Sequence, residues 1–277
     1  MRDLLPPELQ NEPVTPVGVG QSGAGVFTVG ERHILKVSPA PKLATLRAAS
    51  AAGLAPKLVH VDESRGAIVM ERIVGPPFPA WFMGNPPQGI ARLGETLRRV
   101  HDLPVPDGEH ADPRGILRSR VIPPLPAWAR ATLDARMALP EPPRGPLVCS
   151  HNDVNPSNLA VDQERDALVL LDWDTAGPND ATWDLASIAM FMRLPDDACR
   201  ELCAAHGNVE FDDRFRYEKR LVAAVCGGIF LSLAGQEFPD PELSLAECYA
   251  QMRMGSLSMA TPQGRWAFGL ALVRAAI

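Results

Sequence analysis

The feature that most constrains the fold is a change of sequence pattern near residue 75. Before it, short runs rich in valine and punctuated by glycine predict β-strands, and residues 42–52 have the apolar spacing of one helix. After it, apolar residues recur at helical spacing through most of the chain. This order predicts an α+β fold, with a small antiparallel sheet and one helix followed by a larger, mainly helical part.

The same pattern predicts where individual elements lie. Predicted strands span residues 14–19, 25–29, 33–37, 57–61 and 67–73, and predicted later helices span 90–100, 125–137, 183–192, 198–205, 215–233 and 243–254. Residues 75–87 are rich in proline and glycine, which predicts a hinge and a loop. In residues 146–174, two short hydrophobic stretches flank polar loops. We place the boundary between two lobes so that they span residues 1–74 and 75–277.

Composition excludes several classes of protein. The 277 residues carry 27 lysines and arginines against 33 aspartates and glutamates, a net charge of −6, which argues against a nucleic-acid partner. The longest apolar stretch, residues 221–234, is shorter than the ~20 residues of a membrane span, so no membrane partner is expected. The first residues lack a signal-peptide pattern, and the five scattered cysteines favour reduced thiols in a cytoplasmic protein.

Cys199, Cys203 and His206 lie within eight residues and are of types that bind zinc. Their spacing matches no CxxC pair, and no second cluster of ligands follows. Packed thiols on a helix face are therefore the favoured interpretation.

Residues 151–158 read His-Asn-Asp-Val-Asn-Pro-Ser-Asn and combine residue types that suit catalysis. Asp153, on a tight loop, can accept a proton from a hydroxyl group. Asn158, five residues later, can turn back to bind Mg²⁺, which prefers oxygen ligands. Asp172 lies at the end of the next predicted strand, residues 167–171. A hairpin would therefore place Asp153 and Asp172 at the same end of the strand pair. The alternative is a polar hairpin with solvated carboxylates.

Two weaker features lie in the N-terminal part. Residues 18–23 read Gly-Val-Gly-Gln-Ser-Gly and lie between two predicted strands, which disfavours a dinucleotide-binding fold. A glycine-rich hairpin over phosphates fits better, because absent side chains let backbone N–H groups approach an anion. Lys36 lies in a hydrophobic strand, where its ammonium group needs an anionic partner. The alternatives are an ordinary flexible turn and an outward-facing lysine on an edge strand.

Together these motifs resemble the aminoglycoside phosphotransferase and choline kinase superfamily, small-molecule kinases with a protein-kinase-like two-lobe fold. The resemblance is strongest over residues 148–189. It rests there on Cys-Ser-His-Asn-Asp at 149–153, Asn-Leu at 158–159, Leu-Asp-Trp-Asp-Thr-Ala-Gly at 171–177 and Trp-Asp-Leu-Ala at 183–186. The metal loop is most similar to that of bacterial choline, ethanolamine and thiamine kinases. The resemblance implies that the first lobe binds nucleotide and the second carries catalysis and acceptor binding.

The resemblance also implies roles for individual residues of the acidic loops. Asp153 resembles the catalytic base, and His151, in the same catalytic loop, is expected to brace the loop more than to transfer protons. Asn158 and Asp172 resemble the Mg²⁺ ligands. Lys36 resembles the lysine that binds the α- and β-phosphates of ATP. The implied cofactors are therefore ATP and Mg²⁺.

The first lobe would bind ATP mainly through backbone groups. Residues 70–73 fall where such kinases place the hinge that binds adenine, with Glu71 and Ile73 as the implied backbone contacts. The glycine-rich loop would cover the phosphates with Gly20, Gln21, Ser22 and Gly23.

Asp184 lies at the start of a predicted helix that Asp180 or Thr182 caps. By the resemblance, Asp184 supports the catalytic loop through hydrogen bonds. The alternative is a favourable negative charge in a first helical turn.

Two positions depart from the pattern of such kinases. They normally pair the strand lysine with a helix glutamate, yet no Asp or Glu lies between Lys36 and Pro56. Either another acid reaches Lys36, or the lysine is held differently, or catalysis is impaired. At the metal loop, Trp173 and Asp174 replace phenylalanine and glycine, which favours the choline kinase side of the superfamily.

The implied reaction transfers the γ-phosphoryl group of ATP to a hydroxyl of a small molecule. Two features of the helical part favour a cationic acceptor, such as choline, ethanolamine, thiamine or an aminoglycoside. One is a group of acids, Asp153, Asp172, Asp174, Asp180 and Asp184; the other is a group of aromatic residues, Trp173, Trp183, Phe191, Tyr217, Tyr249 and Trp266. Asp174, Trp173 and Asp184 are the candidate acceptor contacts. The alternative is a kinase-like protein that binds nucleotide or ligand without phosphotransfer, and the oligomeric state stays open.

Overall fold

The computed structural model describes residues 1–17, 25–39 and 41–277, and it confirms the α+β class. An antiparallel sheet of five strands occupies the N-terminal part, in the spatial order β1-β2-β3-β5-β4. The strands are β1 (Val14–Pro16), β2 (Gly25–Val29), β3 (His33–Val37), β4 (Leu58–Asp62) and β5 (Ala67–Glu71). One helix, α1 (Leu43–Ala51), connects β3 to β4.

The alternation of side chains gives this sheet two different faces. Leu35 and Val69 point to the outer face, where leucines of residues 4–9 cover them. Lys36 and Ile68 are the next residues along β3 and β5, and they are register partners, so they point to the opposite face. Ile68 on that face joins the main hydrophobic core together with α1. Lys36 is therefore directed at the rest of the protein.

The remainder of the chain is mainly helical, with two short antiparallel strand pairs. The helices are α2 (Phe78–Gly84), α3 (Pro86–His101), α4 (Pro113–Arg118), α5 (Ala127–Ala138), α6 (Ala181–Phe191), α7 (Asp196–His206), α8 (Asp213–Ala234), α9 (Leu245–Arg253) and α10 (Pro262–Ala275). The strands are β6 (Leu147–Ser150), β7 (Leu159–Asp162), β8 (Ala167–Leu170) and β9 (Gly177–Asp180), with β6 paired to β9 and β7 paired to β8.

The centre of the helical part is built around α6 and α8. The long helix α8 packs against α10, α6 and α4. Every residue of α6 from Thr182 to Met190 is buried, which is typical of a helix that is apolar on all sides. One of these buried residues is Asp184, so the core itself carries a carboxylate toward the predicted catalytic loop.

The predicted loop over residues 75–87 is wrong, because this segment contains α2 and the start of α3. Each of these helices has proline in its first turn. Proline is compatible with that position, since the N–H it lacks would have no intrahelical acceptor there. Phe78 and Phe82, one turn apart, bury one face of α2.

Two more helices, α4 and α10, have no counterpart among the predicted elements. Both begin with proline and have a side-chain N-cap: Asp112 accepts from the Gly115 N–H, and Thr261 accepts from the Gly264 N–H. Helix α10 is buried on nearly all sides, so its sequence lacks the amphipathic period that identifies surface helices. The strand predicted over 67–73 is shorter than expected, since β5 ends at Glu71; β1 ends at Pro16, and residues 18–19 of its predicted span lie outside the described residues.

The connection between the sheet and α2 runs along β7. Gly75 lies so close to the Val161 carbonyl oxygen that a Cβ atom would overlap it. Pro77 forms an isolated bridge with Ala160 on the same strand. The predicted lobe boundary after residue 74 falls in this connection and remains a prediction.

The described part of the chain has no helix that is both long and apolar enough to cross a membrane. All five cysteines are unpaired, and all except Cys226 are buried. Burial raises the pKa of the Cys149 thiol to about 11 and that of the Cys203 thiol to about 12. These thiols are therefore protonated near neutral pH and pack as small apolar groups.

Candidate active site

The two acidic loops predicted from the sequence lie at the same end of the β7–β8 pair. The first loop connects β6 to β7 and carries Asp153 and Asn158, while the second follows β8 and carries Asp172. Because β7 and β8 are antiparallel, the start of one lies beside the end of the other. The Leu171 N–H donates to the Asn158 carbonyl oxygen at 2.8 Å, so Asp172 begins directly beside Asn158.

The carboxylate of Asp153 is held by two amide side chains of its own loop. Asn158 Nδ2 donates to Asp153 Oδ2 at 2.8 Å, and Asn155 Nδ2 donates to Asp153 Oδ1 at 3.0 Å. Burial raises the pKa of the Asp153 carboxyl above its usual range, although His151 and these hydrogen bonds lower it in part. Asp153 is therefore an oriented carboxylate with a stronger affinity for a proton than an exposed aspartate has.

The ring of His151 is fully buried and joins the two loops. Its Nε2 lies 2.9 Å from the Leu171 carbonyl oxygen, so this nitrogen carries a proton and donates it in a hydrogen bond. The ring also stands edge-on to Trp173, with 4.9 Å between the ring centres. His151 thus holds the backbone that leads into Asp172.

Lys36 has no acidic partner on α1 and contacts instead two carboxylates of the loop that follows β8. Lys36 Nζ lies 2.7 Å from Asp172 Oδ1 and 2.8 Å from Asp174 Oδ2. Asp174 Oδ2 also accepts a hydrogen bond from Ser38 Oγ at 3.1 Å. The Lys36 side chain is 10% exposed and its strand lies between β2 and β5, so the alternative of an outward-facing edge lysine does not apply.

The backbone at the site is unusual at two positions. Asn152 has φ +65° and Asp172 has φ +58°, in the left-handed region that residues other than glycine seldom adopt. Surrounding hydrogen bonds hold both residues: the Asn152 N–H donates to Asp184 Oδ1 at 2.9 Å, and Lys36 contacts the Asp172 carboxylate. Such strain is common where side chains must be held in one place for catalysis or binding.

Asp184 holds the catalytic loop from within the core. It is fully buried and accepts the His151 N–H at 2.8 Å and the Asn152 N–H at 2.9 Å. His101 Nε2 lies 3.1 Å from Asp184 Oδ2, the oxygen that also accepts the His151 N–H. Burial alone would raise the pKa of Asp184, but the hydrogen bonds from His101 and from the His151 amide hold it below the usual range. The buried carboxylate therefore stays ionised.

Two of the three predicted acceptor contacts lie elsewhere than expected. Asp184 is fully buried, so its assignment to acceptor binding is wrong. Trp173 is 3% exposed and its indole N–H donates to the Leu170 carbonyl oxygen at 2.9 Å, so its assignment is wrong as well. Asp174 contacts Lys36 and remains partly exposed, so its assignment to the acceptor stays a prediction.

The groups that favoured a cationic acceptor already have partners within the chain. Asp180 caps α6 by accepting from the Thr182 N–H, and it pairs with Arg214. The guanidinium group of Arg193 lies 5.8 Å from the centre of the Tyr249 ring. The guanidinium group of Arg114 lies at the same distance from the centre of the Tyr217 ring. Trp266 is buried in the core.

The predicted nucleotide contacts outside the acidic loops lie at the hinge and in the glycine-rich loop. At the hinge, the Glu71 N–H donates to the Lys57 carbonyl oxygen at 2.9 Å, and the Glu71 carboxylate lies 2.5 Å from Arg165. Glu71 and Ile73 line a cleft of about 380 Å³ together with Arg165 and other charged residues. Gly20, Gln21, Ser22 and Gly23 lie outside the described residues, so their prediction stands as made from the sequence.

Sequence analysis missed three side chains that support the site. Asn155 orients Asp153, Ser38 contacts Asp174, and His101 contacts Asp184. Asn155 lies inside the motif, so its amide was a visible signal. Ser38 and His101 are distant in sequence from the residues they contact, and no local pattern identifies them.

Glu218, on α8, lines a small cavity with Arg114 and Trp183. Burial raises the pKa of Glu218 from its ordinary value of 4.5 to about 7. Between these values the folded protein binds more protons than the unfolded chain, so the free energy of unfolding falls as pH rises through this range. We expect Glu218→Gln to stabilise the protein at pH 8, by up to about 3 kcal/mol, and to leave it unchanged near pH 4.

Thermal denaturation at both pH values tests this expectation, with Glu210→Gln on the exposed surface as the control. A Tm gain of equal size at pH 4 and pH 8 would contradict it, because the charge of Glu218 would then have no part in the effect.

With this geometry established, similarity to known proteins identifies the family. A model of the phosphotransferase enzyme family matches residues 14–218. The chain belongs to the phosphotransferase enzyme family. This match confirms the resemblance to phosphotransferases of this family and with it a kinase-type enzyme. No curated protein sequence matches the chain at a significant level.

Solved structures of other phosphotransferases have a similar fold. A choline/ethanolamine kinase family protein from Mesorhizobium loti aligns with a TM-score of 0.60 at 22% identity, over 96% of this chain and 93% of the other. Choline kinase LicA from Streptococcus pneumoniae gives a TM-score of 0.62 at 14% identity, over 95% and 93%. Spectinomycin phosphotransferase APH(9)-Ia, with ADP and spectinomycin, gives 0.62 at 14% identity, over 95% and 92%. At these identities the likeness shows the fold alone.

Proposed function

We propose that this phosphotransferase transfers the γ-phosphoryl group of ATP to a hydroxyl group of a small molecule. The observation that carries the proposal is the contact of Lys36 with Asp172, at the end of the β7–β8 pair where Asp153 and Asn158 also lie. A cation for phosphate, oxygen ligands for a metal and a carboxylate base are the parts that phosphoryl transfer needs. Solved structures of similar fold hold ADP with spectinomycin, or GDP with kanamycin, which agrees with nucleotide binding by this protein.

The side chains of Asn158 and Asp172, at this end of the β7–β8 pair, carry oxygen atoms that suit Mg²⁺. Asn158 uses its NH₂ group for Asp153, which directs its amide oxygen away from that carboxylate. Asp172 contacts Lys36 through Oδ1 and has a second carboxylate oxygen besides. Amide and carboxylate oxygens are the ligands that Mg²⁺ prefers. Bound there, Mg²⁺ would neutralise negative charge on the phosphates of ATP.

The other roles follow from the contacts of each side chain. Asp153 would orient the acceptor hydroxyl and accept its proton, since its pKa is raised and both oxygens are held by amides. Lys36 carries three N–H groups, of which two meet Asp172 and Asp174, so one remains for a phosphate oxygen. His151 and Asp184 would keep the loop in position while these groups act.

The remaining nucleotide contacts come from the sequence resemblance. The backbone of Glu71 and Ile73 would bind adenine at the hinge. The glycine-rich loop would cover the phosphates through the N–H groups of Gly20, Gln21, Ser22 and Gly23.

For the acceptor, we propose a cationic alcohol of the choline, ethanolamine or thiamine kind, or an aminoglycoside. Support comes from the family resemblance and from the net charge of −6 rather than from a free aromatic or acidic surface. The proposal therefore needs a comparison in which only the charge of the acceptor changes. Choline and 3,3-dimethylbutan-1-ol form such a pair, because the second replaces the quaternary nitrogen by carbon.

The test measures ADP release and the phosphorylated product for a panel of amino alcohols, aminoglycosides and neutral isosteres. A cationic acceptor predicts that kcat/KM favours choline over its neutral isostere, or an aminoglycoside over a sugar of similar size. Equal rates within a pair would contradict the cationic class, while any product that depends on ATP would still support phosphotransfer.

The second candidate is a protein that binds nucleotide without transferring phosphate. The observation behind it is that α1 carries no acidic residue. Asp172 and Asp174 supply carboxylates to Lys36 instead, which removes the need for an acid on that helix. Binding of ATP without turnover of any acceptor in the panel would favour this candidate.

Replacement of Lys36 by methionine is expected to weaken ATP binding by about 10- to 100-fold, because a charge-assisted hydrogen bond to phosphate is lost. Lys42→Met, at an exposed position before α1, is the matched control. Titration calorimetry with ATP and Mg²⁺ measures both variants. An unchanged affinity in Lys36→Met would remove this lysine from the phosphate site.

A further inference from the structure

A network of buried hydrogen bonds lies behind the predicted catalytic loop, and beyond Asp184 the proposed mechanism makes no use of it. His101, the last residue of α3, places Nε2 3.1 Å from Asp184 Oδ2 and Nδ1 2.8 Å from Nε2 of His206. His206 is the last residue of α7, and all three side chains are buried. These hydrogen bonds thus connect the end of α7 to Asp184, whose carboxylate accepts the amides of the predicted catalytic loop.

One backbone group decides which ring nitrogens carry protons. The Asn208 N–H donates to His206 Nδ1 at 3.3 Å, so this nitrogen has no proton. Neutral His206 therefore carries its proton on Nε2 and donates it to His101 Nδ1. His101 is then protonated on Nε2 and donates to Asp184. A doubly protonated His101 would direct its Nδ1–H at the N–H of His206, so the network requires neutral rings.

The packing of α3 on α7 makes the contact between the two histidines possible. A Cβ atom on Gly94 would lie 2.6 Å from Ala205 Cβ and 2.9 Å from the His206 backbone nitrogen. Only glycine permits this approach of the two helices. Gly207, with φ +85°, ends α7 directly after His206 and turns the chain so that the Asn208 N–H reaches the ring.

The charged groups near His206 come from two elements. Arg98 of α3 and Asp102, which directly follows α3, form an ion pair with 2.9 Å between Nε and Oδ1, and Asp184 of α6 lies beyond His101. Burial lowers the pKa of His206 to about 4, with further lowering from the charge of Arg98. The ring is therefore neutral near pH 7, as the hydrogen bonds require.

We propose that His206 is a positioning residue, whose Nε2–H sets the tautomer of His101 and so keeps Asp184 oriented toward the His151 and Asn152 amides. The tautomer of His101 and the orientation of Asp184 follow from the hydrogen bonds alone. The catalytic part rests on the proposed function, because these two amides lead directly into the loop that carries the proposed base. Loss of the His206 hydrogen bond is expected to loosen the loop and to lower kcat more than the affinity for nucleotide.

The first experiment reads the tautomers in the unmodified protein. Nitrogen-15 NMR of the histidine rings at pH 7.5 is expected to show both His101 and His206 protonated on Nε2 only. His101 protonated on Nδ1, or on both nitrogens, would overturn the proposal without reference to activity.

The second experiment compares two variants of His206. Gln places an N–H donor near the position of His Nε2, whereas Leu fills the space without a donor. In His206→Leu, hydrogen exchange of the His151 and Asn152 amides is expected to accelerate by about tenfold, and kcat to fall by a similar factor, by analogy with supporting residues in metal sites. His206→Gln is expected to restore both values to near those of the unmodified protein.

Thermal denaturation identifies any variant that fails to fold, in which case His206→Met replaces His206→Leu, because it keeps the length of Gln and has no N–H or O–H donor. Unchanged exchange in the donor-free variant, or no recovery in His206→Gln, would overturn the positioning role. If the unmodified protein phosphorylates no acceptor, the exchange and tautomer measurements still decide the proposal, so its failure is distinct from that of the proposed function.

Discussion

Replacement of Asp153 by asparagine is expected to lower kcat by 10²- to 10⁴-fold, the contribution of a positioned general base. The variant keeps the size of the side chain but cannot accept a proton. In addition, Asp153 accepts amide hydrogens on both oxygens, from Asn155 and Asn158, and an asparagine can accept on only one of them. One donor would then face an NH₂ group, so we expect a small fall in Tm together with the loss of turnover.

The measurement is steady-state turnover with the best acceptor of the panel, beside ATP affinity by calorimetry. Asp107→Asn, an exposed aspartate outside the site, is the control and should behave as the unmodified protein. ATP affinity should change by less than about threefold in Asp153→Asn, since this carboxylate faces the acceptor in the proposed mechanism. Turnover within a factor of about three of the unmodified protein would contradict the assignment of Asp153 as the base.

Replacement of Asp172 by asparagine has the second-largest expected effect, a fall in kcat/KM of about 10²- to 10³-fold. Asp172 has two tasks at once in the proposal, since it contacts Lys36 through Oδ1 and offers an oxygen to Mg²⁺. The asparagine keeps one oxygen but loses the negative charge that attracts the metal. We therefore expect the loss to be partly recovered at high Mg²⁺ concentration.

A matched variant separates the two tasks of Asp172. Asp174→Asn also removes a carboxylate from Lys36, at 2.8 Å, but it is not a proposed metal ligand. Titration of ATP at several Mg²⁺ concentrations should show a changed metal dependence in Asp172→Asn and an unchanged one in Asp174→Asn. The same metal dependence in both variants would remove Asp172 from the metal site and leave it only the contact with Lys36.

Much of the fold could be predicted from the sequence, because the signals involved are local. The strand-rich start and the helical remainder follow from the spacing of apolar residues along a few turns or strands. The helices that were not predicted also have a physical explanation. Helix α10 is buried on nearly all sides and has no amphipathic period, and α2 begins with a proline-rich segment that is typical of loops.

The candidate site was predictable in its motif and unpredictable in its environment. The spacing of Asp153, Asn158 and Asp172 is a property of the chain, and one antiparallel strand pair suffices to bring their loops to the same end. The burial of Trp173 and Asp184 is a property of the packed core, so their assignment to the acceptor was wrong. Aromatic and acidic residues near the motif indicated a cation, but their partners lie in other elements.

The sequence by itself therefore determined the class of fold, the family and the residues that form the motif, since spacing and periodicity act over short stretches of chain. The tertiary structure alone decided which groups those residues meet. Lys36 finds Asp172 across 136 positions, and His101 finds Asp184 and His206 across 83 and 105 positions. Contacts at such separations depend on how sheet and helices pack, and packing depends on the whole set of buried side chains at once.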